Sequence, residues 1–140
     1  MIRFRTTATA VVVYLTLSTS TTLHAQERVR AGMWESTVTL SSGQTATNSS
    51  CLKPADAAKT NGSSAIVRAE TEKGLLKSGC TLKDFKADGG TMTQTMVCGS
   101  STILIETRFR DGDSFETTST STDDGVKSVT RIKSRRTGAC

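Results

Sequence analysis

Histidine is almost missing from this chain of 140 residues: His24 is the only one. Aromatic side chains amount to 4%, with a single tryptophan, Trp34, and there is a single proline, Pro54. No apolar run is long enough to cross a membrane as a helix. The longest, Ala8 to Leu17, has ten residues, where about 20 are needed. No cysteine stands before Cys51, which argues against a lipid-anchored N-terminus. Each absence removes a class of function, and the first removes the most.

The short apolar run has its own reading. Arg3 and Arg5 precede it, polar residues Ser18 to Thr22 follow it, and Leu23-His24-Ala25 offers permissive residues at −3 and −1. These are the three parts of a secretory signal, with cleavage expected after Ala25. The expected organisation is therefore a signal peptide over 1–25 and one domain over 26–140. Cleavage takes away His24, so the mature chain has no imidazole. Ser-His-Asp and Cys-His catalysis and histidine-based metal sites are then excluded. It also takes Arg3 and Arg5, leaving 16 basic and 13 acidic side chains, a net +3. That modest charge, with the export signal, argues against nucleic acid as a partner.

The mature chain keeps only Trp34, Phe85, Phe109 and Phe115 as aromatics. So few large apolar groups bury little surface per residue. Four cysteines, Cys51, Cys80, Cys98 and Cys140, then read as two disulfides in an exported protein. Their wide spacing does not suit a zinc site, and no cofactor is expected. Two connectivities stay open: Cys80–Cys98 with Cys51–Cys140, or Cys51–Cys80 with Cys98–Cys140. A three-residue loop at Asp88-Gly89-Gly90 would set Cys80 opposite Cys98; a two-residue loop would remove that alignment.

Alternation of period two dominates the mature sequence. Trp34, Ser36, Val38 and Leu40 share one face of a first strand, and a polar strand follows from Thr45 to Leu52. Pro54 suits the first turn of a short helix over Ala55 to Lys59, with a second helical turn around Ile66 to Leu76. Asp88-Gly89, Asp111-Gly112 and Asp124-Gly125 favour the left-handed backbone of tight hairpins. They divide the rest into strands at Cys80–Ala87, Thr91–Cys98, Thr102–Arg110, Ser114–Thr122 and Val126–Arg135. Phe115 to Thr122 has almost nothing to bury, so it reads as a long exposed hairpin arm, or else a flexible loop. The expected fold class is all-β: an antiparallel meander forming an open barrel or sandwich, with a short helical insert after Cys51.

Gly32-Met33-Trp34-Glu35, Cys51-Leu52, Gly79-Cys80, Asp88-Gly89, Cys98, Asp111-Gly112-Asp113-Ser114-Phe115 and Gly138-Ala139-Cys140 occur in that order. Together they resemble the small exported bacterial proteins called domain of unknown function 3617, over about Gly32 to Cys140. Lys53 departs from the threonine expected after Cys51-Leu52, which bears on the cap of the next helix. The resemblance implies a periplasmic protein of Gram-negative bacteria and supplies no catalytic residues.

Candidate functional groups are few. Trp34 reads first as a core anchor and second as a platform for a ligand. Lys127, Arg131, Lys133 and Arg135 fall on one face of the last strand. They suit either an anionic partner or a solvated edge strand, with Glu106 and Glu116 partly neutralising them. Asp111-Gly112-Asp113 lacks the further carboxylates of a calcium loop and reads as a turn. Asn48-Ser49-Ser50 and Asn61-Gly62-Ser63 match a glycosylation pattern that matters only in a eukaryotic secretory pathway. The expected function is non-enzymatic: a module holding a small apolar ligand or lipid in a concave face lined by Trp34, Val38, Met92, Met96, Ile103 and Ile105. The alternative is an envelope-interaction or hydrolase-inhibitor protein acting through a loop or the basic last strand.

Overall fold

A computed structural model of the chain describes residues 27–140; the expected signal peptide and its cleavage site lie outside them. The elements are β1 (Gly32–Thr39), β2 (Thr45–Leu52), α1 (Pro54–Thr60), α2 (Ser64–Leu76), β3 (Cys80–Asp88), β4 (Thr91–Cys98), β5 (Ser101–Phe109), β6 (Ser114–Asp123) and β7 (Val126–Gly138). All strands are antiparallel in one sheet of order β2-β1-β7-β6-β5-β4-β3. The class is all-β. β3 to β7 form the meander, β1 adds beside β7, and the two ends do not meet, so the barrel stays open.

Two-residue turns join β3 to β4, β4 to β5 and β6 to β7, while the Asp111-Gly112 turn between β5 and β6 is longer, with Phe109 paired to Phe115. Asp124 and Gly125 both take positive φ, 46° and 81°, and let Asp123 pair with Val126. Asp88 pairs with Thr91, so the loop is two residues, Gly89 and Gly90, not the three that alignment of Cys80 with Cys98 needs. A β-bulge repairs the difference. Lys83 is the extra residue between Leu82 and Asp84, and beyond it Cys80 faces Cys98. The same bulge keeps Leu82 and Phe85 on one face, opposite Met96 and Gln94.

The insert after β2 holds two helices. α1 begins at Pro54, and its N-cap, Lys53, makes no side-chain cap bond. α2 runs for 13 residues behind Ser63, whose hydroxyl accepts from the Ile66 N–H at 3.4 Å. Val67, Glu70, Thr71 and Leu75 form its less exposed stripe, with helical spacing. α2 packs against β3, and Lys59 and Glu70 approach at 3.8 Å to join the two helices.

Phe115 to Thr122 is not an exposed arm. β6 is the middle strand of seven, paired over its length with β5 and β7. Its hydroxyl side chains fit there because the sheet, not an apolar face of its own, fixes the backbone: Thr117 and Thr107 hydroxyls bond at 3.0 Å across the strands. β7 is likewise interior, flanked by β1 and β6, and is not an edge.

The core is small and lies at one end. Val29, Trp34, Ala57 and Phe109 are buried together, with Ala31, Leu52, Met92 and Phe115 against them. Trp34 sits 5.3 Å from Phe115, and Phe109 5.7 Å from Phe115, both pairs tilted, a favourable aromatic geometry. The disulfides join Cys80 to Cys98 and Cys51 to Cys140. The first closes the β3–β4 hairpin, and the second ties the chain end to β2. Such bonds place the chain in an oxidising compartment, extracellular or periplasmic. Among the described residues, no helix is long and apolar enough to cross a membrane.

Candidate functional site

Strand register divides the side chains into two faces. On one lie Val38, Ile132, Thr117, Thr107 and Met92 in a row across β1, β7, β6, β5 and β4. The next row holds Thr130, Ser119, Ile105, Gln94 and Phe85, and the one after it Ser128, Ser121, Ile103, Met96 and Leu82. These rows carry no charged residue. They form two apolar banks, Val38 with Ile132 and Ile103 with Ile105 and Met96, separated by the hydroxyls of β6 and β7.

The six candidate ligand-facing residues share this face but divide into two groups. Trp34, 4% exposed, and Met92 belong to the packed end. The Trp34 indole N–H donates to the Arg30 carbonyl at 2.9 Å, which satisfies its one polar group. Val38, Ile103 and Ile105 stay only partly buried, Met96 is buried, and none of the four enters the core cluster. Beyond Val38, an apolar hollow of about 560 Å³ is lined by Val38, Leu40, Gln44, Thr45 and Ala46. Gln94 Oε1, between Ile105 and Phe85, is shielded from solvent and has no hydrogen-bond partner. It leaves one acceptor on an otherwise apolar bank.

The other face is charged and hydroxylic. Lys133 stands opposite Glu116, which stands opposite Arg108; Arg131 stands opposite Thr118, which stands opposite Glu106. Arg135 donates to Glu35 Oε1 at 3.0 and 3.2 Å, and Arg110 reaches Glu116 at 3.3 Å. Lys127, at the far end, faces Thr122. The basic stripe is thus the positive half of a mixed-charge ladder running across three strands. Two rows of threonines, Thr91, Thr93 and Thr95 on β4 and Thr118, Thr120 and Thr122 on β6, share this face.

At the packed end, a clamp with no signature in the residue pattern holds the N-terminal segment. Arg28 is 8% exposed. Its guanidinium donates to the carbonyls of Thr60 (2.9 Å), Gly62 (3.0 Å) and Gly89 (3.3 Å). Among the described residues no carboxylate is paired with it; the carbonyl dipoles at the C-terminal end of α1 face the positive charge instead. Asn61 completes the clamp. Its Oδ1 accepts from the N–H groups of Arg28 (2.8 Å) and Val29 (3.0 Å), and its Nδ2 donates to the Val29 carbonyl at 2.7 Å. That amide nitrogen is therefore engaged in the fold and is not a free glycosylation acceptor. Nothing in the pattern around Arg28 distinguishes it from a polar tail; only the carbonyl nest reveals it.

Several residues that carry the family resemblance meet at this same end. Gly32 has φ +142°, and a Cβ there would lie 2.2 Å from the Gly138 carbonyl and 2.6 Å from Arg136 Nε. Glycine is the residue that admits both the conformation and the approach. Arg136 in turn donates to the Ala31 carbonyl at 2.7 Å. Asp111 accepts from the Asp113 N–H (3.1 Å) and the Ser114 hydroxyl (3.3 Å). Those bonds push its carboxyl below the ordinary range, the Asp113 N–H contributing most. Asp113 receives Arg30 at 2.7 Å, and the Arg30 guanidinium is raised by its hydrogen bond to Glu27 and by Asp113. Among the described residues, no group of three or more His, Cys, Asp or Glu could hold a metal ion.

The landmarks at this end are thus occupied with turns, packing, a disulfide and the clamp. The unoccupied chemistry lies at the other end, on the two apolar banks. No match was found among curated proteins. A family model described as a protein of unknown function, DUF3617, matches residues 29–140, and the chain belongs to that family.

Proposed function

We propose that this protein is a non-enzymatic periplasmic binding module, taking a small apolar ligand or lipid against the two apolar banks. The observation that carries this reading is the split of the face. Trp34, Phe109, Phe115 and Met92 are packed together at one end, while Val38, Ile103, Ile105 and Ile132 stay outside that core, partly buried. Covering them would remove apolar area from water at about 25 cal/mol per Å². The absence of charge from these rows favours an uncharged contact.

Catalysis draws no comparable support. Residues 27–140 contain no histidine. Asp111 is held low by its hydrogen bonds, the wrong direction for a general acid near neutral pH. The alternative contact, the basic strand, has its cations interleaved with Glu35, Glu116 and Glu106.

The test is binding of a neutral fluorescent probe, N-phenyl-1-naphthylamine, to the mature protein. Wild type enhances its emission saturably. Ile105→Glu weakens binding at least tenfold, since burying the isoleucine is worth about 1.5–3 kcal/mol and 1.4 kcal/mol is a factor of ten. Ile105→Leu, similar in volume, retains it. No saturable enhancement in wild type, or equal enhancement in Ile105→Glu, would refute the proposal.

A further inference from the structure

A single open sheet has two free edges, and here they differ. β3 carries Lys83, Asp84, Lys86 and Asp88, is bulged at Lys83, and has α2 packed against it. Charge, bulge and cover are the usual devices that stop an edge from pairing. β2, Thr-Ala-Thr-Asn-Ser-Ser-Cys-Leu, has none of them. It contains no charge and no proline, it pairs with β1 over all eight residues without a bulge, and Thr45 to Cys51 are all exposed. Among the described residues nothing pairs with its outer N–H and C=O groups, which form a regular row.

We propose that β2 is a pairing edge and that its occupant is a second copy of this chain, joined antiparallel about a two-fold axis at Ser49. Three features select a second copy over a foreign strand. First, because only one edge is open, β2-to-β2 pairing closes after two copies and leaves the guarded β3 strands outside, so no fibre follows. Second, a strand without charges meets its own copy without like-charge repulsion. Third, placing Ser49 opposite the partner's Ser49 puts Ala46 opposite the partner's Leu52. These are the two apolar β2 side chains on the Val38 face, and the pair occurs twice by symmetry. The joined edge then continues the apolar surface past Val38 and Ala46, beside the hollow they line. The interface is small, so the dimer belongs to the weak, transient class. This inference stands apart from ligand binding, which the banks of one copy provide.

Sedimentation velocity on the mature protein, from low to high micromolar, tests it. Wild type is expected to show a concentration-dependent dimer. Ser49→Lys and Ser49→Glu, each at a position exposed in the monomer, set like charges opposite one another and raise the dissociation constant about fivefold, the equivalent of ~1 kcal/mol. Mixing the two variants restores dimer, because a lysine then meets a glutamate across the axis in the heterodimer. Ser49→Cys gives a disulfide-linked dimer on oxidation, since directly paired antiparallel residues have Cα atoms about 4.5–5.5 Å apart, within disulfide range. Wild type monomeric throughout, or a Ser49→Lys variant as dimeric as wild type, overturns the proposal. Charged variants that stay monomeric when mixed overturn the two-fold at Ser49.

Discussion

Removing the Cys51–Cys140 bond by Cys51→Ala with Cys140→Ala has a calculable cost. The bond spans 89 residues and the Cys80–Cys98 bond 18. In the chain-entropy account, closing such loops in the unfolded chain is worth about 4.6 and about 3.2 kcal/mol respectively. The long-range bond should therefore cost about 1.4 kcal/mol more to lose than the hairpin bond. Against a usual net stability of about 5–15 kcal/mol, the first loss takes a third of the total or nearly all of it. Trp34, buried beside Phe115, is a built-in reporter, and urea unfolding followed by its fluorescence reads both variants. The Cys51/Cys140 variant should also show a larger slope against denaturant, because its unfolded chain is less confined. If deleting Cys80–Cys98 costs as much or more, loop closure is not the source of the stability and the reasoning fails.

Other consequences follow from single residues. Arg28→Met leaves the carbonyls of Thr60, Gly62 and Gly89 without their donor and should lower stability by about 2–4 kcal/mol, read in the same urea assay. Lys53→Ser supplies the missing side-chain cap of α1 and should stabilise by about 1 kcal/mol, measurable as a rise of roughly 4 °C in Tm. Gly32→Ala drives a Cβ into the Gly138 carbonyl at a φ of +142° and should cost about 2 kcal/mol or more; no rise in unfolding rate or fall in Tm would show that β1 can shift.

Much of the fold is legible because period-two alternation and Asp-Gly turns are local signals. β2 and β4 stand where the sequence sets them, and the other strands differ by a few end residues. What escapes is non-local. Ser and Thr in β6 bury little on their own, so the strand reads as an arm until its neighbours on both sides are known. The β3–β4 register depends on a bulge at Lys83, which nothing in the residue pattern announces. Arg28 and Asn61 carry a clamp made of backbone carbonyls and N–H groups, and such partners leave no residue-type signature. Strand order, likewise, turns the basic last strand from an edge into an interior member of a mixed-charge ladder. The candidate site was half legible: alternation puts Val38, Met96, Ile103 and Ile105 on one face, while only packing assigns Trp34 and Met92 to the core.

The claim that the open apolar banks hold a ligand is tested most directly by native mass spectrometry of protein purified from periplasm without denaturation. The expected result is an excess mass that is uncharged and apolar, lost on denaturation and absent from Ile105→Glu. A clean apo mass for the wild-type protein, or the same excess mass on Ile105→Glu, would contradict it.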